Sequence, residues 1–233
     1  RLVGICLFST PLGGFVLMSA SIFKRQIGQL PLSLETGHLA QLANGAVVVR
    51  YGDSMVLATA TMDKPREGID FFPLTIDFEE RLYARGKIPG NFFRREGRPT
   101  TDAILADRLT DRPLRPLFPK GFKNEVQIVV TALSSDQETP LDLLVVLGAS
   151  AALTVSDIPF GGPIGVTRVG YVDGEYVINP TYKQIADGKL DLIVAGSRAG
   201  VSMLEAGAYE LSEEIVKEGI RLGQEVNLDV IAL

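Results

Sequence analysis

The chain has 233 residues, 46% of them hydrophobic and 22% charged, which is enough apolar material for one large core or two modest ones and excludes a disordered chain. Its single cysteine, Cys6, excludes an internal disulfide framework and a cysteine-based zinc site, and its single histidine, His38, excludes a multi-histidine metal centre. The net charge is -5, and 24 glycines exceed the usual ~7% share, pointing to many tight turns between short strands of a soluble α/β protein in a reducing compartment.

The first seventeen residues are apolar but broken by Pro11, Gly13 and Gly14, too short and too interrupted for a membrane span. They read either as a targeting segment with Arg1 as its charged end or, the reading preferred here, as sequence upstream of a natural start at Met18. Residues 1–18 are therefore expected to be an upstream or non-native extension, and 19–233 one domain cut from a longer polypeptide. Over 22–61, β-favouring runs alternate with turn signals, and Tyr51-Gly52-Asp53-Ser54 sits between two apolar runs as a hairpin turn would. This predicts a meander of three or four antiparallel strands.

Residues 70–78 predict another strand, and the breakers Gly86, Pro89, Gly90 and Gly97 predict a long exposed loop after it. Thr100 or Thr101 then caps a helix whose Ile104, Leu105, Arg108 and Leu109 fall on or near one face until Pro113 and Pro116 end it. A β-branched run at 126–133 predicts a buried strand. Residues 140–155, with Gly148, Ala149, Ser150, Ala151 and Ala152, predict a close-packed core helix. Beyond the turn PFGGPIG come a hairpin (164–172 and 175–178 around Asp173-Gly174), a short helix at 180–187 and the strands LDLIVAG and VSMLEAG. Ser212, Glu213 and Glu214 open an amphipathic helix through Ile215, Val216, Ile220 and Leu222. The order is mixed α/β without the regular alternation of a doubly wound sheet.

Charge is uneven along this order. The window 81–115 holds Arg81, Arg85, Lys87, Arg94, Arg95, Arg98, Arg108, Arg112 and Arg115 against only Glu96, Asp102, Asp107 and Asp111, in a chain that is acidic as a whole. Phe92 and Phe93 directly precede the first arginine pair. Guanidinium forks suit phosphate, and exposed aromatic faces suit unpaired bases, so the window points to single-stranded nucleic acid. The competing structural reading is a loop aromatic pair folded inward and arginines laced to Asp102, Asp107 and Asp111. Asp63, Asp70 and Asp77 lack a histidine or cysteine partner and predict no metal site. PFGGPIG lacks the lysine and following hydroxyl of a phosphate loop and reads as a turn. Glu205 is expected to face solvent or a partner subunit.

The string FFPLTIDFEERLYARGKIPGNFFRREGRPTTDAILADRLTDRPLRPLFPKGF closely resembles the first RNase PH-like domain of the polynucleotide phosphorylase family, and the likeness continues through GASAAL, IPFGGPIGVTRVGYVDGEYVINPT and KLDLIVAG. The resemblance implies an α/β (α+β) fold of the ribosomal-protein-S5-like RNase PH type, with mostly antiparallel mixed sheets and packed helices. It also implies a parent enzyme that forms a homotrimeric ring and shortens RNA from its 3′ end with inorganic phosphate. Magnesium would serve that enzyme, in the cytoplasm or, in a eukaryote, in an organelle, with no membrane association.

By the same resemblance, Phe92, Phe93, Arg94 and Arg95 form a loop that grips single-stranded RNA in the ring channel, with Arg98, Arg108, Arg112 and Arg115 in the adjoining segment. The family's phosphate-gripping serines correspond to the stretch holding Pro140, Leu141 and Asp142, and its metal ligands to Ile185, Asp191 and Ile193. No catalytic residue and no metal site are therefore expected here, and the isolated chain should not turn RNA over. Two alternatives stand beside this reading: an assembly module without RNA contact, and a self-sufficient RNase PH-type enzyme that trims tRNA, against which the missing serine run counts.

Overall fold

The computed structural model of the chain describes residues 20–90 and 92–233, together with the backbone of two short strands, β1 (Cys6–Ser9) and β2 (Phe15–Met18), which pair antiparallel. The expected extension at 1–18 otherwise lies outside the described residues. The expected meander is β3 (Ser21–Ile27), β4 (Leu30–Thr36), β5 (Gly45–Tyr51) and β6 (Ser54–Asp63). It joins β7 (Leu74–Glu79) and β8 (Glu125–Ser134) in a six-stranded sheet of order β3-β4-β5-β6-β8-β7, antiparallel except where β7 runs parallel to β8. Tyr51 pairs with Ser54 across a turn that needs the positive φ of Gly52, +59°. Along β6, Ser54, Val56, Ala58 and Ala60 are fully buried, the period-two signature of a sheet with one face on the core. The strand expected from residue 70 begins four residues later. Phe72 is drawn instead into an aromatic cluster, with ring centroids 4.6 Å from Phe118 and 5.5 Å from Phe122.

Helix α1 (Thr101–Leu114) is capped by Thr100, whose Oγ1 accepts the Ala103 N–H at 3.1 Å. It passes through Pro113 to Leu114, and a 3-10 turn, Arg115–Leu117, follows. Its buried face keeps Leu109 of the expected stripe and otherwise differs from it. Ala103, Ala106, Leu109, Thr110 and Leu114 face inward, while Ile104 and Leu105 are half exposed, because the helix lies on β7 and the core helix α2 (Asp142–Val155) through its small residues. α2 is buried along nearly its whole length. A Cβ on Gly148 would lie 2.8 Å from the Cβ of Ala58, so the small-residue run is what allows α2 to approach β6 this closely.

The second sheet has the order β10-β9-β11-β12, from β9 (Gly165–Val172), β10 (Glu175–Ile178), β11 (Leu190–Ser197) and β12 (Gly200–Ala208). The short helix α3 (Tyr182–Asp187) carries a capping box between Thr181 and Gln184. α4 (Glu213–Ile231) lies on β9 and β11 through Gly219, Gly223 and Asn227. Asn227 is fully buried and satisfied, accepting from Thr167 Oγ1 at 2.8 Å and donating to the Val194 carbonyl at 3.0 Å. One core cluster runs from Val49 and Ile128 in the first sheet to Val166 and Ile193 in the second, so both sheets share the interior around α2. Among the described residues no helix is long and apolar enough to cross a membrane.

Candidate nucleic-acid interface

The loop between β7 and α1 places Phe92 and Phe93 at 94% and 77% exposure, with ring centroids 5.5 Å apart at 84°. Two adjacent, outward phenyl rings forgo the burial that normally stabilises them, so the pair is not folded inward. Arg94 follows in the left-handed region, φ 54°, so the chain turns sharply at the tip. Arg95 and Arg98 are exposed on the same segment. The base is tied down: Arg81 donates to Glu79 at 2.6 Å and to Glu96 at 2.8 Å, and Glu96 also accepts the Leu82 N–H at 2.7 Å.

The helix arginines divide by role. Arg108 is exposed and makes no ion pair among the described residues. Arg112 lies 3.5 Å from Glu205, both more than half exposed, so Glu205 has an intrachain partner that its position in sequence did not reveal. Arg115 is committed to the fold. Its guanidinium is bidentate to Asp111, donates to the Phe72 and Leu74 carbonyls at 3.0 and 3.3 Å, and lies over the Phe72 ring at 5.6 Å.

A depression lies beside α1. The positions that the family resemblance equates with phosphate-gripping serines and metal ligands do converge there, as Leu141, Asp142, Ile185, Asp191 and Ile193. Their chemistry has changed. Arg168, from the otherwise uncharged strand β9 and 8% exposed, lies with Nη2 3.0 Å from Asp142 and Nε 2.9 Å from Asp191. The carboxylate that a cation would need is thus already neutralised by a side chain, and no cluster of three candidate ligands occurs among the described residues. These residues do not fit a magnesium ion. Reasoning from sequence missed Arg168; the available signal was a lone charge inside the run GVTRVGYV.

The description of the 3′ exoribonuclease family, domain 1, matches residues 29–159, and that of the same family's domain 2 matches residues 162–226. The chain belongs to the 3′ exoribonuclease family. The two matched stretches meet at the PFGGPIG turn, where the chain leaves α2 for the second sheet. Polyribonucleotide nucleotidyltransferases of Chloroflexus aurantiacus and Gloeobacter violaceus are 57% and 58% identical over 86% and 89% of this chain. That of Dehalococcoides mccartyi is 50% identical over 93%. The chain spans 27%, 28% and 30% of these three relatives. The crystal structure of rice (Oryza sativa) Rrp46 shares the fold of this family member, with a TM-score of 0.69 at 15% identity, over 88% of this chain and 92% of that one.

Proposed function

We propose that this chain is the RNA-binding, ring-forming first domain of a phosphorolytic 3′–5′ exoribonuclease, a polyribonucleotide nucleotidyltransferase that works in the cytoplasm as a homotrimer and degrades mRNA. The observation that carries the reading is the tip of the β7–α1 loop, two outward phenyl rings followed by Arg94 and Arg95. Stacking on aromatic rings is worth about 1–3 kcal/mol per base and does not depend on sequence, which suits a strand that must slide. Arginine at the same tip supplies phosphate contact. Arg98 and Arg108 extend the basic surface, with Arg112 at its margin; Arg115 supports the helix that bears them.

In the longer enzyme, inorganic phosphate attacks the terminal phosphodiester, the bond from phosphorus to the preceding 3′ oxygen breaks, and a nucleoside diphosphate leaves. This domain grips and orients the strand. At the positions that correspond to the family's serines and metal ligands, the depression holds Leu141, Ile185 and Ile193, with Asp142 and Asp191 paired to Arg168, so the chemistry and its magnesium are assigned to another part of the polypeptide. Filter binding of single-stranded RNA tests the reading. Arg94→Ala with Arg95→Ala should weaken binding and reduce its salt slope, each lost phosphate contact removing about 0.7 of a unit of slope on a single strand. Unchanged affinity and slope would leave the assembly-module alternative in its place.

A further inference from the structure

One carboxylate stands inside the most basic stretch of the loop. Glu96 lies between Arg95 and Arg98, well within a Debye length of ~10 Å, and a surface built solely to attract phosphate would be weakened by it. Yet Glu96 does not point outward as a free charge. Its side chain is 26% exposed, with Oε2 accepting from Arg81 Nη1 at 2.8 Å and Oε1 accepting from the Leu82 N–H at 2.7 Å. These two bonds hold its carboxyl below the usual carboxylate range.

The connection continues into the sheet. Arg81 Nη2 donates to Glu79 Oε2 at 2.6 Å, and that oxygen also accepts from Thr131 Oγ1 on β8 at 3.2 Å. At the other stem, Thr100 Oγ1 donates to Glu80 Oε2 at 2.5 Å while capping α1. Residues 79–82 and 96–100 are thereby fastened to one another, and the segment between them closes into a loop that carries the Phe92–Arg95 tip.

We infer that Glu96 and Arg81 are positioning residues for the RNA grip, a clamp from Glu79 through Arg81 to Glu96 that presents the aromatic and arginine tip already ordered. A tip ordered on folding loses less conformational freedom when it binds, so the clamp raises affinity without touching RNA. The inference rests on the reading of the tip as the RNA contact, and its test separates the two.

Glu96→Ala discriminates by sign. If Glu96 were simply a charge, its removal would strengthen the positive field and tighten binding. As a clamp, its loss should weaken binding of a single-stranded adenylate oligomer to the intact chain several-fold, with the salt slope unchanged because no phosphate contact is lost. Trypsin should also nick the chain faster after Arg94 and Arg95. Arg81→Lys, which keeps the charge but loses the fork, should fall between Glu96→Ala and the wild type in both assays. Binding equal to or tighter than wild type overturns the clamp. If the Arg94 and Arg95 double variant itself binds normally, the RNA reading has failed, and the protease decides alone: faster nicking supports the clamp and an unchanged rate overturns it.

Discussion

Arg168 faces Asp191 across the floor of the depression beside α1, Nε to Oδ1 2.9 Å, as an ion pair without the alignment of a hydrogen bond, while Nη2 of the same guanidinium lies 3.0 Å from Asp142. One side-chain cation thus bridges α2 and β11 where the family resemblance would place a metal. The two carboxylates are partly solvated, 25% and 38% exposed, so they tolerate separation better than a wholly buried pair.

Arg168→Met should therefore destabilise the fold by about 2 kcal/mol, below the 3–5 kcal/mol expected on breaking a fully buried pair. Asp191→Asn should cost less, since Arg168 retains Asp142. Urea unfolding reads both as shifts of midpoint. An unshifted midpoint in Arg168→Met would mean that the bridge contributes nothing to holding α2 on the second sheet.

Close approach of α2 to the first sheet sets a ranking between two glycines. A Cβ on Gly45 would lie 2.1 Å from the Ala152 carbonyl oxygen, which is backbone and has nowhere to go, whereas one on Gly148 meets the Ala58 methyl at 2.8 Å. Gly148→Ala gains about 1 kcal/mol in helix propensity against an overpacking cost of about 1–3 kcal/mol, for a small net loss. Gly45→Ala has no such offset and should lose about 3 kcal/mol or more. Equal unfolding midpoints for the two variants would refute this account of the α2 interface.

Much of this packing was legible in the amino-acid order. The small-residue run around Gly148 gave the core helix, the Tyr51–Ser54 turn gave the hairpin, and positive φ at both Asp173 and Gly174 matches the turn expected there. Three features were hidden because they depend on what comes near in space. Ile104 and Leu105 look like the core stripe of α1, but the face set against β7 and α2 is the one carrying Ala103, Ala106, Leu109 and Leu114, so Ile104 and Leu105 turn outward. Phe72 leaves its expected strand for rings that are forty-six residues away or more, at Phe118 and Phe122. Arg115 shares the basic window with Arg94, yet no local pattern shows that two strand-end carbonyls await its guanidinium.

The outward phenyls and Arg115 should consequently separate cleanly in experiment. Phe92→Ala and Phe93→Ala remove side chains with little packing to lose, so unfolding midpoints should stay within about 0.5 kcal/mol of wild type. Each should weaken single-stranded RNA binding by about 1–3 kcal/mol. Arg115→Ala should do the reverse, losing about 1–2 kcal/mol of stability with its hydrogen bonds and ring contact while leaving the salt slope of binding unchanged. A reduced salt slope in Arg115→Ala would instead place that guanidinium on phosphate.

Asp107 gives the fold a pH dependence of definite sign. Half-buried on α1, its carboxyl is pushed up to about 6 by burial, against the stabilising Phe78 N–H that it accepts at 2.6 Å and with a further push from Asp77. In the unfolded chain an aspartate titrates near ~3.9. Between about pH 4 and about pH 6 the native state therefore holds a proton that the unfolded state has released, and this residue's contribution makes stability fall as pH rises through that window, then level off. Asp107→Asn keeps an oxygen for the Phe78 N–H and removes the buried charge. The variant should lose that part of the slope between about pH 4 and about pH 6 and, after allowance for its partial exposure, gain on the order of 1 kcal/mol at neutral pH. Urea midpoints taken at about pH 5 and about pH 7 decide it: if Asp107→Asn follows the same slope as wild type, the titrating group lies elsewhere.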